Sequence, residues 1–335
     1  MLRLEVVEEF GRLGELRSEW SSFNPDVLSL TPFQTPEWLF TWWKHFGSGQ
    51  LRVFVFRDGS GKFVGVVPCF LHKWEERRQL TLLGSGISDY LEPPIALEHR
   101  RGAMDCLREY LVGDSGWDVC NWQDLANDSF LENIGPKAEL ILEHRPDLPC
   151  SEILVDRCFS EFWAGRPAGL RRNVRRYSDK ARQIAMPEFR VSPSYDEECL
   201  ESLIRLHSAR WREQGELGTI AANGSATFLR DVTKEFARQN SLLFFSLRLE
   251  GEIAAVILSF PYRNVLFSYL SAFDPEYSAL GLGRILLYEA VRYTFEQNYS
   301  AWNFLRGSEP YKFDWGAREI PKSRLLITRG PQHAR

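Results

Sequence analysis

Apolar and polar residues recur along the chain with two periods, one helical and one extended. Up to residue 125, helical spacing predicts helices at 10–20, 36–47 and 101–112. Alternating or continuous apolar runs predict strands at 51–58, 62–73, 80–96 and 117–125, and the first two flank the hairpin signal Gly59-Ser60-Gly61. The predicted order of this first unit is helix, hairpin, third extended segment, helix and strand.

A second unit begins after the prolines between residues 146 and 149. Helical spacing predicts helices at 159–185, broken near Pro167-Ala168-Gly169, and at 196–215 and 225–239. Extended patterns predict strands at 151–156, 241–249, 252–260, 264–272 and 300–307, with a glycine turn and an amphipathic helix before the last strand. Because the two units share a similar order, we expect two related α/β halves with mixed sheets, residues 1–148 and 149–335.

Residues 307–317, GSEPYKFDWGA, place three aromatic rings in alternation with two charges. Successive side chains of an extended segment point to opposite faces. The pattern therefore predicts a strand with Tyr311, Phe313 and Trp315 on one face and Lys312 and Asp314 on the other. This pattern is typical both of a cleft wall and of an ordinary edge strand.

The composition of the 335 residues, 44% hydrophobic and 26% charged, is that of a globular protein with two domains. The formal net charge of -4 gives no overall attraction to nucleic acids or membranes. The cysteines form no CxxC pair and have no histidine at ligand spacing, so we expect buried apolar residues and no metal site. An acidic N-terminal segment and the lack of a long apolar run predict a cytoplasmic protein without a membrane span.

The strongest local signal for a binding site is SALGLGR, residues 278–284, which follows a predicted strand and opens a helix. Glycines allow backbone N–H groups to approach a phosphate closely, and a helix N-terminus adds positive potential. The segment is neither a Walker motif nor a dinucleotide fingerprint. Taken alone, it is equally typical of a plain glycine-rich turn.

In its context, the segment resembles the acyl-CoA-binding core of GNAT-type acyltransferases, in which a hairpin and a further strand precede a Gln/Arg-x-x-Gly-x-Gly/Ala turn and a helix. Gly281 and Gly283 match the two small positions, whereas Ser278 departs from the first position. The resemblance implies acyl-CoA, with acetyl-CoA as the default, as co-substrate. The residues implied to bind it through backbone N–H groups are Ala279, Leu280, Gly281, Leu282, Gly283 and Arg284.

Four further segments, 170–176, 251–260, 273–277 and 305–316, look like GNAT-type acetyltransferases of cellulose and exopolysaccharide biosynthesis. The chain also resembles Fem-type aminoacyl transferases, which carry two GNAT-like halves. The resemblance covers nearly the whole chain and implies an α/β fold of tandem GNAT-like halves. The second half would bind acyl-CoA, and a cleft between the halves would hold the acceptor.

The Fem-type resemblance implies roles for Lys312, in the C-terminal motif, and for Asp89, an acid of the first half that would face the acceptor. Attack on a thioester builds negative charge on the carbonyl oxygen, which a cation stabilises, while a carboxylate can take the acceptor's proton. Glu309 is a second candidate base. Each residue also has a structural interpretation: Lys312 as a solvated strand lysine, Asp89 as a turn residue and Glu309 as a surface acid.

A basic segment between residues 166 and 182 includes Arg172 and Arg176, which share a helix face. They predict a site for the phosphates of CoA, a nucleotide sugar or tRNA, or else a solvated basic face. Tyr311 and Trp315 either wall the acyl channel or belong to the core.

These features predict transfer of an acyl group from acyl-CoA to an amine or hydroxyl on a small molecule or glycan precursor, in polysaccharide or cell-envelope biosynthesis. No nucleophile–base pair is visible in the sequence, so we expect direct attack on the thioester. Two alternatives stay open. One is a Fem-type transferase that uses aminoacyl-tRNA, and the other is a non-catalytic scaffold that keeps the fold.

Overall fold

The computed structural model describes residues 2–25, 30–127, 129–135, 139–213 and 224–330. Its chain divides into two compact units. Unit 1 contains the chain up to Leu148 together with the chain from Pro321 onward, and unit 2 is Pro149–Ile320. Each unit has its own hydrophobic core.

Mixed sheets form the framework of both units. In chain order, the strands of the described residues are β1 (Arg3–Val7), β2 (Gln50–Arg57), β3 (Phe63–Trp74), β4 (Arg77–Leu82), β5 (Val119–Ala126), β6 (Leu140–Leu154), β7 (Glu188–Ser192), β8 (Leu243–Leu249), β9 (Glu252–Tyr262), β10 (Val265–Phe273), β11 (Ala301–Arg306) and β12 (Arg318–Arg329).

Helices connect and cover these strands. In chain order, the α-helices of the same residues are α1 (Phe10–Glu15), α2 (Arg17–Ser22), α3 (Pro36–Phe46), α4 (Arg100–Gly113), α5 (Phe159–Ala164), α6 (Ala168–Ile184), α7 (Glu197–Glu213), α8 (Ser225–Arg238), α9 (Leu282–Glu296) and α10 (Pro310–Asp314).

The sheet of unit 1 has the order β1-β2-β3-β4-β5-β12. Its neighbouring strands are antiparallel except for the parallel pair β4 and β5. Helix α4 buries Leu107 and Leu111 in the same core as Trp117 and Trp122. Burial of these large apolar side chains is the main source of stability for such a unit.

The sheet of unit 2 has the order β6-β11-β10-β9-β8-β7, and β10 and β11 are its parallel pair. Their register runs from Val265 opposite Ala301 to Phe267 opposite Asn303. Beyond these pairs β10 continues to Phe273 and β11 continues to Arg306, so the two strands separate at their C-terminal ends. Helix α9 follows β10 and packs on β8, β9 and β10.

The observed elements differ from the sequence-based expectation mainly at the edges. The short strands β1 and β7 were not predicted, because each has only five residues. β12 was not predicted either, and it pairs with β5, which places the chain from Pro321 in unit 1 although the sequence had assigned it to the second half. The predicted helix end at Gly215 lies outside the described residues.

The prediction of a strand at residues 307–317 is wrong, because Pro310–Asp314 forms the helix α10. Pro310 occupies the first helical position, where its fixed φ suits the helix. The three rings therefore do not share a face. Trp315 is buried in the core of unit 2, 5.5 Å from the ring of Trp163, whereas Tyr311 is 45% exposed.

We expect Trp315→Ala to lower the free energy of unfolding by about 3–5 kcal/mol, because it removes a large buried ring and leaves a cavity. Tyr311→Ala is the matched control and should cost less than about 1 kcal/mol. Urea unfolding followed by circular dichroism measures both. Equal losses in the two variants would contradict the core position of Trp315.

Candidate functional site

The glycine turn, residues 278–284, links β10 to α9. The Asp274 carboxylate accepts the Glu276 N–H at 3.0 Å and starts a 3-10 turn over Pro275–Leu280. Gly281 then adopts a left-handed conformation with φ 60°. Its carbonyl accepts the N–H groups of Arg284 and Ile285 at 2.9 and 3.2 Å.

Two backbone donors of this turn remain available. The N–H groups of Leu282 and Gly283, in the first turn of α9, make no backbone hydrogen bond with the described residues. The side chains of Leu280 and Leu282 are buried, while Ala279 and Arg284 are exposed. A ligand at this turn would therefore meet the backbone of the leucines and, from Arg284, a cation.

The absence of a side chain at Gly281 allows α6 to approach the turn. A Cβ atom at Gly281 would lie 2.7 Å from the ring of Tyr177 on α6. The Tyr177 hydroxyl accepts a hydrogen bond from Arg284 Nη1 at 3.2 Å, and the Arg176 guanidinium lies 5.1 Å from the ring centroid. Two cations thus contact the ring that covers the glycine turn.

Arg172 and Arg176 point to different surroundings, although the sequence predicted one shared face. Arg176 contacts Tyr177 beside the glycine turn. Arg172 lines a pocket of about 710 Å³ that α6 forms with α5 and α9, and Arg176 does not line this pocket. The two residues are four positions apart, and the resulting offset of about 40° around the helix axis is enough to place their side chains beside different neighbours.

Lys312 is buried, and its ammonium group donates hydrogen bonds to nearby acceptors. Nζ lies 2.7 Å from the Arg306 carbonyl oxygen, 3.1 Å from that of Gly307 and 2.9 Å from Glu309 Oε2. An ammonium has three N–H donors, so these acceptors occupy them all. Lys312 thereby closes the turn after β11, where Leu305 and Gly307 have φ values of 62° and 110°.

Glu309 is the accessible member of this pair. It immediately precedes α10, and 55% of its side chain is exposed. Its carboxylate lies over Gly307, where an added Cβ would come within 2.5 Å of Oε2. The ion pair with Lys312 fixes the carboxylate close to the C-terminal end of β11.

Asp89 lies half-buried in the turn-rich segment after β4. Both of its neighbours are fixed, because the Ser88 hydroxyl accepts the Trp38 indole N–H at 2.8 Å and the Tyr90 ring lies 3.9 Å from Lys322 Nζ. The segment is therefore anchored on both sides of Asp89 within unit 1.

Glu92, three residues further on, is a buried acid that the sequence analysis missed. It is 1% exposed, and the nearest guanidinium, that of Arg100, is 3.9 Å away. Burial raises the pKa of Glu92 to about 7, against the opposing influence of Ser129, Arg100 and Lys322. The sequence YLEPPI reads as an exposed loop, so no local signal marks this residue.

The described ranges contain no group of three or more His, Cys, Asp or Glu side chains arranged to hold a metal ion. In the same ranges, every helix is too short or too polar to cross a bilayer.

Known proteins resemble this chain in part of its sequence and in its fold. Residues 168–313 match the family model described as an acetyltransferase (GNAT) domain. That match includes α6, the glycine turn and Lys312. No curated protein matches the sequence.

Several solved structures have a similar fold. The crystal structure of FemX is 11% identical, with 96% of each chain covered and a TM-score of 0.64. L-PGS from Bacillus licheniformis is 14% identical over 89% of this chain and 93% of that chain, with a TM-score of 0.54. The tandem GNAT protein from the clavulanic acid biosynthesis pathway is 11% identical over the whole of both chains, with a TM-score of 0.51.

The predicted α/β fold of tandem GNAT-like halves with mixed sheets is confirmed. The matched domain supports acyl transfer as the general chemistry and acyl-CoA as the co-substrate. At these low identities the solved structures bear on the fold alone.

Replacing Lys312 tests its structural role. Lys312→Met leaves buried carbonyl oxygens without a donor, and each such group costs about 1–3 kcal/mol. We expect the free energy of unfolding to fall by about 2–4 kcal/mol, as measured by urea unfolding. Lys180→Met, on the exposed surface of α6, should change it by less than about 0.5 kcal/mol. A Lys312→Met protein as stable as the control would contradict the described contacts.

Glu92 should make stability depend on pH. A carboxyl group whose pKa rises from 4.5 to about 7 on folding binds its proton more tightly in the folded state. Its contribution to stability therefore falls as pH rises from about 4.5 to 7, by roughly 3 kcal/mol.

The Glu92→Gln variant has no group to titrate at this position, so it should lack this fall and gain stability relative to the parent at pH 8. Urea unfolding between pH 5 and 8 measures the difference, with the exposed Glu98→Gln as control. Parallel pH profiles for the parent and Glu92→Gln would show that Glu92 does not titrate in this range.

Proposed function

We propose that the protein transfers an acyl group, acetyl by default, from acyl-CoA to an amine or hydroxyl of a small molecule or glycan precursor. The observation that carries this proposal is the glycine turn at the start of α9, with two available N–H groups beside strands that separate. A helix N-terminus with free donors is suited to a phosphate group. The resemblance to exopolysaccharide acetyltransferases supports a role in polysaccharide or cell-envelope biosynthesis.

In this proposal the CoA pyrophosphate binds the N–H groups of Leu282 and Gly283. Arg284 and Arg176, which contact the same tyrosine ring, supply positive charge for it. The pantetheine arm then follows the space that opens where β10 and β11 separate. This path brings the thioester toward the end of β11, where Glu309 and Lys312 lie.

The proposed reaction is direct attack of the acceptor nitrogen or oxygen on the thioester carbonyl carbon. The new bond to the acyl carbon forms, the C–S bond breaks and CoA leaves as the thiolate. Glu309, exposed and fixed by its ion pair, is the proposed acceptor of the nucleophile's proton. Asp89 belongs to unit 1, and its predicted role in binding the acceptor stays a prediction.

The predicted stabilisation of negative charge by Lys312 stays a prediction. Its observed contacts favour a positioning role, because the ammonium holds the Glu309 carboxylate and the turn after β11. Tyr311, exposed beside this turn and 6.1 Å from the Phe304 ring, remains a candidate wall of the acyl channel.

The proposed use of the backbone can be tested at Gly283. Proline is tolerated in the first turn of a helix but has no N–H. Gly283→Pro should therefore weaken CoA binding about tenfold or more, since it removes one donor to a charged ligand. Gly283→Ala keeps the N–H and meets the same neighbour, the Phe273 ring at 3.1 Å. It should bind CoA within about threefold of the parent.

Titration calorimetry measures CoA affinity, thermal unfolding checks that both variants fold, and release of CoA thiol from acetyl-CoA with a panel of amines and hydroxyl acceptors tests transfer. Equal affinities for Gly283→Pro and Gly283→Ala would rule out the Gly283 N–H as a ligand. A parent protein that binds tRNA with steep salt dependence but not CoA would support aminoacyl-tRNA as the donor. Binding neither ligand would support a scaffold.

A further inference from the structure

The side of α6 that faces away from the glycine turn lines a pocket rich in arginine. Its volume is about 710 Å³, which is within the usual range for small-molecule sites. Five arginines and one glutamate line it, so its lining carries a net charge of +4 from five positive charges and one negative charge. The six residues are Arg171, Arg172, Arg175, Arg182, Arg292 and Glu289.

Not all of this charge is neutralised within the described chain. Arg182 pairs with Asp179 at 3.1 Å, and Arg292 pairs with Glu289 at 2.7 Å. Arg172 and Arg175 form no ion pair with any described residue. Like charges held together repel one another, so such a cluster is stabilised when an anion binds.

The pocket also has an aromatic wall. The rings of Trp163 on α5 and Tyr288 on α9 line it and meet edge to face at 4.8 Å. Guanidinium groups bind phosphate oxygens in a bidentate way, and aromatic rings bind flat or apolar groups. The pocket therefore combines the two kinds of surface that a nucleotide needs.

This pocket is separate from the glycine turn. Arg171, Arg175, Ser178 and Arg182 recur at helical spacing and share one face of α6. Tyr177, which contacts Gly281, lies on the other side of the buried stripe that Val174 and Ala181 form. A ligand in the pocket therefore contacts a different flank of α6 from a ligand at the turn.

We propose that this pocket is a second ligand site, which binds a small molecule with two or more clustered phosphates and places its apolar or aromatic part against Trp163 and Tyr288, as a nucleoside diphosphate would. The inference goes beyond acyl-CoA binding at the glycine turn. A local pocket in a chain with net charge -4 favours a small ligand over the backbone of a nucleic acid.

The test uses ADP and inorganic pyrophosphate as probes, titrated by calorimetry into the full-length parent protein and into Gly283→Pro. A variant of the turn replaces saturation with CoA here, because CoA contains an adenosine diphosphate group that could itself enter the pocket. Arg175→Gln removes one unpaired guanidinium from the centre of the pocket face. Lys180→Gln makes the same charge change on the opposite, exposed side of α6 and is the matched control. We expect ADP and pyrophosphate to bind about tenfold more weakly to Arg175→Gln and equally to the parent and Lys180→Gln.

Gly283→Pro should keep ADP binding, because the pocket lies on the other flank of α6 from the glycine turn. Absence of ADP and pyrophosphate binding at low salt overturns the proposal. Equal effects of Arg175→Gln and Lys180→Gln overturn it too, as would a loss of ADP binding in Gly283→Pro, which would place ADP at the glycine turn. Binding of tRNA through Arg175 without binding of ADP would replace the small ligand with a nucleic acid.

The test of the pocket and the test of the proposed function can fail separately. If CoA does not bind at the glycine turn, ADP binding through Arg175 is still measurable in the protein without CoA. If ADP does not bind, the Gly283 variants still test the turn.

Discussion

The contact between Gly281 and the Tyr177 ring allows α6 to lie close against the start of α9. A side chain at Gly281 would collide with the ring at 2.7 Å, and the left-handed φ of 60° is costly for most other residues. Together with the buried side chains of Val174 and Ala181, this contact sets which flanks of α6 carry its arginines. On one flank of α6, Arg176 lies over the same tyrosine ring as Arg284 from the first turn of α9, and on the other flank the arginine pocket lies against α5.

Each unit buries an ionisable residue, and the two residues differ in how many hydrogen-bond and ion-pair partners they have. In unit 2, Lys312 is fully coordinated by two carbonyl oxygens and a carboxylate, so burial costs little and the group stiffens a turn. In unit 1, Glu92 faces an arginine only at 3.9 Å, and it keeps a raised pKa as a result. A buried charge with all its hydrogen-bond partners stabilises the structure around it. A buried acid with few such partners titrates near neutral pH.

Local sequence signals were sufficient where local physics decides the structure. Glycines at 281 and 283 after a strand predicted the turn and α9, and Pro167-Ala168-Gly169 predicted the break between α5 and α6. The alternation of rings at 311–315 misled because it outweighed Pro310, which favours the start of a helix. The buried contacts of Trp315 and Lys312, which stabilise the helix, are not visible in the local pattern. Burial of Glu92 depends on contacts distant in sequence, so no local pattern could reveal it.

The pairing of β5 with β12 has a consequence for synthesis. The hydrogen bond from Arg324 to Asn121 joins residues 203 positions apart, and the whole of unit 2 is made between them. At ordinary rates of translation, β5 waits about 10–40 s for its partner. During that time its free edge is a template for pairing with other chains. Until β12 is made, unit 1 therefore has an unpaired strand edge that the completed chain covers.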